Sequence, residues 1–366
     1  MNNMEEKEVI SLSKDLNEPK WLLHERLRSL KVYSVLSKDI GKALDAETFG
    51  TPDTNVSLAG ARRDSLHDFL EDPRRKDIAK SFFINRFYRP EKSIESAFIN
   101  AFFTECNFFA PEKESATMTL TRKHGIAIDF FIILARANLG LNSDSGGASI
   151  SEYYLSDNAS LFQSSTITGK HSLLLEARIL QNDAQAKLNH AFFSTAKKTN
   201  NTLLNGENSK YAESLLFVTH SHDRLDVSST ILHASKSTDS TLTAKGVVKD
   251  NAVATVNSLA RISHESQGSK SRLSTHAMIL TPGAKATVNP DFEILNNDVI
   301  ASHSASVGEI NEEQLFYLMS RGFSRDKANQ LIIEGFLDSA LPEGEKALRG
   351  KLDAAISALY KSSSLK

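Results

Sequence analysis

Short runs in which apolar or small residues alternate with polar ones fill the middle of the chain, from about Phe98 to Gly308. Residues two apart lie on the same face of a β-strand, so each run predicts a strand with one buried face. Leu225–Ile231, Ala252–Val256 and Ala284–Val288 are examples. About two hundred residues of such strands, without alternating helices, exclude repeated strand–helix–strand units.

Turn-forming pairs punctuate this segment at intervals of roughly 25 to 32 residues, as expected for a repeating coil. The pairs that directly precede an alanine are Asp157-Asn158, Asn182-Asp183, Asp250-Asn251 and Pro282-Gly283. This spacing suits a β-solenoid or a β-sandwich. The inward faces are predicted to be narrow and built from alanine, valine, serine and leucine, which favours stacked coils. We therefore predict a mainly β protein with a solenoid core.

Helical patterns flank the strands on both sides. NEPKWLLHERLRSLKVY, near the N-terminus, places leucines on one helix face. Beyond Gly308, Asn311 followed by Gln314 resembles a capping box, Gly322 can end a helix, and Ser324 can cap another. The predicted regions are an N-terminal helical region (1–98), a parallel β-helix core (99–308) and a C-terminal helical region (309–366).

Composition and charge exclude several classes of function. The formal net charge of −2 gives no reason to expect nucleic acid or an anionic membrane as a partner. No run of about 18 apolar residues predicts a membrane span, and the acidic start lacks the pattern of a secretory signal. The single cysteine, Cys106, excludes an internal disulfide and a four-thiolate metal site, and it favours a reducing cytoplasm. Phenylalanines bracket Cys106, so we predict a buried, inert thiol.

The chemical motifs of common enzymes are absent from the sequence. There is no GxxxxGK[ST] loop, GxSxG elbow or GxGxxG turn. His220 and His222 would share a strand face, as zinc ligands can. The HxHxDH pattern of metallo-β-lactamase-type hydrolases is not completed, however, so we interpret both as exposed strand histidines. The sequence therefore does not predict a P-loop ATPase, a hydrolase with a nucleophile elbow or a dinucleotide-binding enzyme.

Two composite motifs resemble the SufB/SufD family of iron–sulfur cluster assembly proteins. Residues 302–336, SHSASVGEINEEQLFYLMSRGFSRDKANQLIIEGF, are similar to the family pattern HxAxxGxIxxxQLFYLxSRGxxxxxAxxxIxxGF. The N-terminal stretch resembles the family helix EPxWxxxxRLxAL, with Trp21, Arg26 and Leu27 in place. The segment that begins STHAMILT resembles the last coils before the signature.

The resemblance implies a right-handed parallel β-helix flanked by N-terminal and C-terminal α-helical regions. Family members work in the Suf complex, where C-terminal helices dock the ATPase SufC and the β-helices of SufB and SufD pair. It therefore implies a cytoplasmic, non-enzymatic scaffold subunit that pairs with a SufB-like subunit and docks a SufC-like ABC ATPase. Alternatives are a SufB-like homodimeric scaffold, a scaffold without cluster chemistry, and a β-helix carbohydrate-active enzyme. The last requires clustered carboxylates or basic groups on one face of the solenoid, whereas the acids of the middle segment are scattered.

The resemblance also implies roles for individual residues. SufB members carry a functional cysteine where this chain has Thr275, and Ser302–Ala305 is closer to the SufD pattern. His303 is then a candidate ligand of a transient iron–sulfur cluster at the partner interface, or else a structural histidine at the end of a coil. No stably bound cofactor is expected in this chain. The residues expected to contact the ATPase are Leu315, Phe316, Met319, Arg321, Leu331 and Phe336.

Overall fold

The computed structural model describes residues 3–40, 53–66, 68, 87–145, 147–168, 171–341 and 346–361. The helices are α1 (Asn3–Asp15), α2 (Lys20–Ile40), α3 (Ile94–Phe102), α4 (Glu312–Ser320), α5 (Arg325–Asp338) and α6 (Lys346–Lys361), with a 3₁₀ turn at Pro90–Lys92. The strands are β1 (Asp53–Ala59), β2 (Ala61–Ser65), β3 (Glu105–Pro111), β4 (Ser115–His124), β5 (Ile126–Ile133), β6 (Asn138–Ser145), β7 (Ala148–Leu155), β8 (Ser160–Ile167), β9 (Ser172–Leu180), β10 (Gln185–Phe192), β11 (Ala196–Leu204), β12 (Lys210–Thr219), β13 (Arg224–His233), β14 (Asp239–Val248), β15 (Val253–Ile262), β16 (Ser269–Ile279), β17 (Lys285–Ile294) and β18 (Val299–Glu309).

The strands of the described residues form two nine-stranded sheets. Sheet A has the order β1-β4-β6-β8-β10-β12-β14-β16-β18, and sheet B runs from β17 through the odd-numbered strands to β3 and β2. Apart from β1 and β2, neighbours within each sheet run parallel. Because consecutive strands alternate between the sheets, the chain winds as a parallel β-solenoid. The predicted mainly β fold with flanking helices is confirmed.

The turns between coils contain the residues that the sequence singled out. Asn158, Asp183 and Asp250 adopt positive φ angles of 59°, 55° and 60°. Asparagine and aspartate tolerate this left-handed conformation better than other residues with a side chain. The repeat length is also confirmed, since Asp157 accepts a hydrogen bond from Asn182, 25 residues along the chain, and Asn257 accepts one from Asn289, 32 residues along.

The inner faces of the coils differ between the two halves of the solenoid. In β13, Leu225, Val227 and Ile231 are buried on one face, as predicted. In the N-terminal half the prediction of small residues is wrong. Phe131 there stacks on Phe109 and on Tyr153, with ring centroids 4.9 and 4.4 Å apart. The three rings stack because parallel pairing places Phe131 in register with Phe109 on one side and with Tyr153 on the other.

The N-terminal helices cover the outer face of sheet B through a cluster of leucine and aromatic side chains. Arg26 of α2 is buried there and makes hydrogen bonds to the Glu18 carboxylate (2.7 Å) and the Ala101 carbonyl (3.0 Å). Its guanidinium lies 3.6 Å from the centre of the Phe103 ring. The region predicted to be helical also contributes β1 and β2, which pair antiparallel with β4 and β3.

The C-terminal helices α5 and α6 cover part of the outer face of sheet A, where their apolar side chains meet Leu216, Val218 and Val247. The predicted N-caps at Asn311 and Ser324 and the predicted helix end at Gly322 are confirmed. The Asn311 side chain accepts hydrogen bonds from the Glu313 and Gln314 amides, Ser324 caps α5, and Gly322 has a φ of 93°. Within the described ranges, no helix is long and apolar enough to span a bilayer.

A glycine on the inner face of β14 makes room for an aromatic ring of the coil beside it. A Cβ atom at Gly246 would lie 2.2 Å from the buried ring of Phe217, its partner in register on β12. We predict that Gly246→Ala lowers the free energy of unfolding by about 1–3 kcal/mol, because overpacking forces the ring to move. Urea denaturation of the purified chain measures this change.

Gly350 provides the matched control, because nothing lies within 4 Å of the Cβ position at this exposed glycine of α6. Gly350→Ala is expected to raise the free energy of unfolding by about 0.5–1 kcal/mol through helix propensity. Equal stability of the Gly246→Ala variant and the wild type would contradict the described packing.

Candidate functional site

The C-terminal end of the solenoid presents a coil that nothing covers in the described part of the chain. β17 and β18 are the last strands of sheets B and A, respectively. Their inner-facing side chains therefore have a coil on one side only. Large apolar side chains on this coil and its connection are exposed, namely Ile294, Leu295, Ile300 and Val307, with Ile300 64% exposed. An exposed apolar surface next to free strand edges is typical of a site that another chain covers.

His303 lies on the inner face of this open coil. It pairs in register with Leu273 of β16, whose side chain is buried in the solenoid core. The His303 Nδ1 atom is 2.8 Å from the Pro290 carbonyl oxygen, and its ring centroid is 5.5 Å from that of Phe292. Both partners belong to β17, so the imidazole bridges the two sheets across the end of the stack.

The hydrogen bond to Pro290 defines the chemistry that His303 offers. A carbonyl oxygen can only accept, so Nδ1 carries the proton and donates it. The lone pair of the neutral ring is then on Nε2, which is the arrangement found in many metal-bound histidines. The imidazole is thus oriented by β17 and exposed at the open end.

The residues around His303 separate into an inner and an outer set. Thr275 is buried one coil deeper, and its Oγ1 atom has no hydrogen-bond partner. Ser304 points to the opposite, outer face, where its Oγ atom is 3.0 Å from that of Ser274. On the same outer face, His276 Nδ1 is 2.7 Å from Ser306 Oγ. The inner face thus carries an imidazole and a hydroxyl, and no thiol.

The six residues expected to contact an ATPase do not form one continuous surface. Leu315 is buried, and Leu331 is partly buried. Phe336 packs against sheet A beneath the Lys245 ammonium group, which is 4.9 Å from the ring centre. Phe316 and Met319 are 75% and 40% exposed, and Arg321 is also exposed.

Two exposed aromatic residues beside them, Tyr317 and Phe323, were not among the predicted contacts. The Arg321 guanidinium donates a hydrogen bond to the Tyr317 hydroxyl. Together with Phe316 and Met319 they make an apolar surface on α4 and the turn 321–324, which we call the α4 arm. The dense aromatic signature QLFYL was a signal for this surface.

The remaining sequence candidates lie elsewhere. His220 and His222 were predicted on a strand face, but this is wrong, because both belong to the turn between β12 and β13. The predicted burial of Cys106 is confirmed, on β3 near the other end of the stack. Among the described residues, no group of three or more histidine, cysteine, aspartate or glutamate side chains is arranged to hold a metal ion.

A layer of charged side chains inside the solenoid was also missed. Glu176 Oε2 lies 2.5 Å from Arg178 Nη2 and 2.7 Å from Lys198 Nζ. His190 Nε2 is 3.9 Å from this carboxylate and from that of Glu213. All five side chains are buried. We call Glu176, Arg178, Lys198, His190 and Glu213 the charged layer.

Burial and charge pairing set the protonation states in the charged layer. Burial alone would raise the pKa of Glu176, but the Lys198 and Arg178 cations outweigh it and hold this pKa well below its usual range. Burial and then the nearby Lys198 charge lower the pKa of His190 well below 6.5, so its ring is neutral. The layer therefore holds two basic and two acidic side chains around a neutral imidazole.

Lys198→Met is predicted to reduce the free energy of unfolding by about 3 kcal/mol, because two buried carboxylates would then face one guanidinium. The adjacent Lys197 offers a matched control. It makes an outer-surface ion pair with Glu95, and Lys197→Met should cost less than about 1 kcal/mol. Urea denaturation of both variants checks the difference. Equal losses of unfolding free energy in the two variants would show that Lys198 stabilises the fold no more than a surface ion pair does.

Comparison with known proteins assigns the family. Residues 132–336, more than half of the chain, match the family model "SUF system FeS cluster assembly, SufBD core domain". The chain is 34% identical to the iron–sulfur cluster assembly protein SufD of Bacillus subtilis over 113 residues, which are 31% of this chain and 26% of that protein. It is 31% identical to SufB of the same organism over 113 residues, 31% of this chain and 24% of SufB.

A SufBD family protein, ycf24, of Galdieria sulphuraria is 29% identical over 163 residues, which are 42% of this chain and 73% of that protein. The chain thus matches only about a quarter of the length of the two Bacillus proteins. The family model nevertheless covers the strands from β6 to β18 together with α4 and most of α5. The core-domain match thus comprises most of the parallel β-solenoid and the two helices that follow it. The protein belongs to the SufBD family.

Proposed function

We propose that this chain is a SufD-like, non-enzymatic scaffold subunit of an iron–sulfur cluster assembly complex. The observation that carries the proposal is the open last coil of a SufBD-family solenoid, with His303 held across its inner face. A surface of this kind is completed by a second chain, and it provides a metal-binding nitrogen at the junction.

The partner in this proposal is a SufB-like subunit. In the described part of the chain, no strand pairs with the outer edge of β18, which contains no proline, so its backbone can continue sheet A into another chain by strand addition. The exposed Ile294, Leu295 and Val307 would be buried at the same time. A SufB-like homodimer is less well supported, because a threonine, Thr275, takes the position of the expected cysteine.

The iron–sulfur cluster is cargo of the complex in this proposal. The chain has one cysteine, and Cys106 is buried near the N-terminal end of the stack, far along it from His303. It therefore lacks the thiolates that iron–sulfur clusters require. His303 would supply one ligand through Nε2, and the SufB-like subunit would supply thiolates. The proposed location is the cytoplasm, which suits a protein with a single, reduced cysteine.

The α4 arm is the proposed docking surface for a SufC-like ABC ATPase. Phe316, Tyr317, Met319 and Phe323 are exposed on one short helix and its turn. Exposed aromatic residues and methionine are enriched in the cores of protein interfaces. Leu315 and Phe336 would act indirectly in this model, because they hold the arm and α5 in place.

Replacing Phe316 and Met319 together by aspartate is predicted to weaken ATPase capture by about a hundredfold, because two charges would be buried in the contact. The measurement is affinity of the co-expressed SufC-like ATPase for the full chain. Val35→Asp with Leu134→Asp is the matched control, since both residues are exposed and lie outside the arm. Unchanged affinity in the arm variant would place the docking site elsewhere.

His303→Ala is predicted to lower cluster formation about tenfold while the fold and partner binding stay intact, because the site loses one ligand. Iron and sulfide content of the co-expressed complex measures this effect. His222→Ala, at an exposed turn position, should leave the content unchanged. If the His303 variant assembles clusters as well as the wild type, the histidine has only a structural role.

A further inference from the structure

The outer face of sheet A carries a shallow trough that the proposed pairing and docking surfaces do not use. Three adjoining depressions of about 400, 270 and 240 Å³ run across the strands from β8 to β18. They share lining residues, with Lys187, Ala212 and Thr241 common to the first two and Asp239 common to the first and third. Five steps between neighbouring strands make the trough roughly 24 Å long.

One wall of the trough is the C-terminal end of α5 and the residues that follow. Ser339, Ala340 and Leu341 line the middle depression. The Ser214 hydroxyl donates a hydrogen bond of 2.5 Å to the Ala340 carbonyl and joins this wall to β12. The floor consists of small residues such as Ala212 and Thr241. The trough is thus a formed groove between a sheet and a helix end.

Four exposed cations line the trough: Lys187, Lys210, Lys270 and Arg272. Within the described ranges, none of them has a carboxylate at ion-pair distance. Asp239 lies in register between Lys210 and Lys270 and leaves an excess of three positive charges. On the outer face of sheet B, two of the cations are paired, Lys197 with Glu95 and Arg261 with Glu293.

The chain as a whole has a formal net charge of −2, so this concentration of unpaired cations is local. Charges of one sign along a groove attract a partner of the opposite sign and guide its approach. We propose that the trough binds an extended, acidic segment of another protein.

The spacing of the cations fits an extended peptide. Lys187 and Arg272 lie in one row, three strand steps or roughly 14 Å apart. Alternate side chains of an extended segment point to one face and repeat every 6–7 Å or so, so carboxylates four residues apart reach both cations. Phe162 and Ile300, at the two ends of the trough, are exposed and offer apolar contacts to the same segment.

Nucleic acid fits the trough less well. Asp239 near its centre would repel a phosphate backbone, and Phe162 alone gives no series of aromatic platforms for bases. Serine, threonine and glutamine side chains along the trough can instead bond peptide amides. The proposal is independent of pairing and ATPase docking, so it is tested on the full chain alone.

The test uses fluorescein-labelled peptides of about twelve residues that alternate glutamate or lysine with alanine, and a single-stranded RNA of similar length. Fluorescence anisotropy at about 50 mM salt measures binding while surface charges are weakly screened. We expect the wild-type chain to bind the acidic peptide in preference to the other two probes. Lys187→Glu with Arg272→Glu should weaken this binding about tenfold or more.

Arg224→Glu with Lys285→Glu is the matched control, because both residues are exposed on the outer face of sheet B and the charge change is the same. This variant should bind the acidic peptide with an affinity within about twofold of that of the wild type. Lys187→Gln with Arg272→Gln removes the two charges without reversing them, so it should weaken the binding less than the glutamate pair does. The absence of acidic-peptide binding, equal losses in the trough and control variants, or tighter binding of the RNA would each overturn the proposal.

Discussion

Each coil of a parallel solenoid buries its inner face and pairs its backbone edges only against another coil, and the two ends of this molecule meet that constraint differently. At the N-terminal end, the short strands β1 and β2 pair antiparallel with β4 and β3. β2 contains Arg62, Arg63 and Asp64, and such charges discourage further strand addition. At the C-terminal end, no described residue covers β17 and β18, and their apolar side chains are exposed. The open end is therefore where another chain is expected.

Strand register connects this architecture to the candidate site. Side chains alternate between faces with a period of two, so a slip of one residue in β18 would turn His303 outward and Ser304 inward. Deep in the stack, the charged layer opposes the same kind of slip in its own strands, because a shifted strand would leave Glu176 or Lys198 without its partner. A buried network that must be satisfied favours one register over others. The position of His303 at the open end thus depends on the register between β18 and β16.

Local patterns predicted much of this structure because their causes are local. Turn residues such as Asn158 and Asp250 and the caps at Asn311 and Ser324 act through backbone geometry within a few residues. The charged layer escaped prediction because Glu176 and Lys198 look like outward-facing polar residues, and only pairing between distant coils brings them together. Likewise, alternation could not distinguish a strand from a turn at His220. The inner orientation of His303 followed from register, which the sequence motif alone does not contain.

Hydrogen exchange in the last coil tests the central claim most directly. The backbone amides of β18, residues 299–309, are measured in the isolated chain and in its complex with a co-expressed SufB-like subunit. If the open edge is the pairing surface, amides of β18 should exchange about a hundredfold more slowly in the complex, because strand addition buries and bonds them. β4, near the N-terminal end, should exchange at the same rate in both samples. Unchanged exchange in β18 within a stable complex would contradict the account.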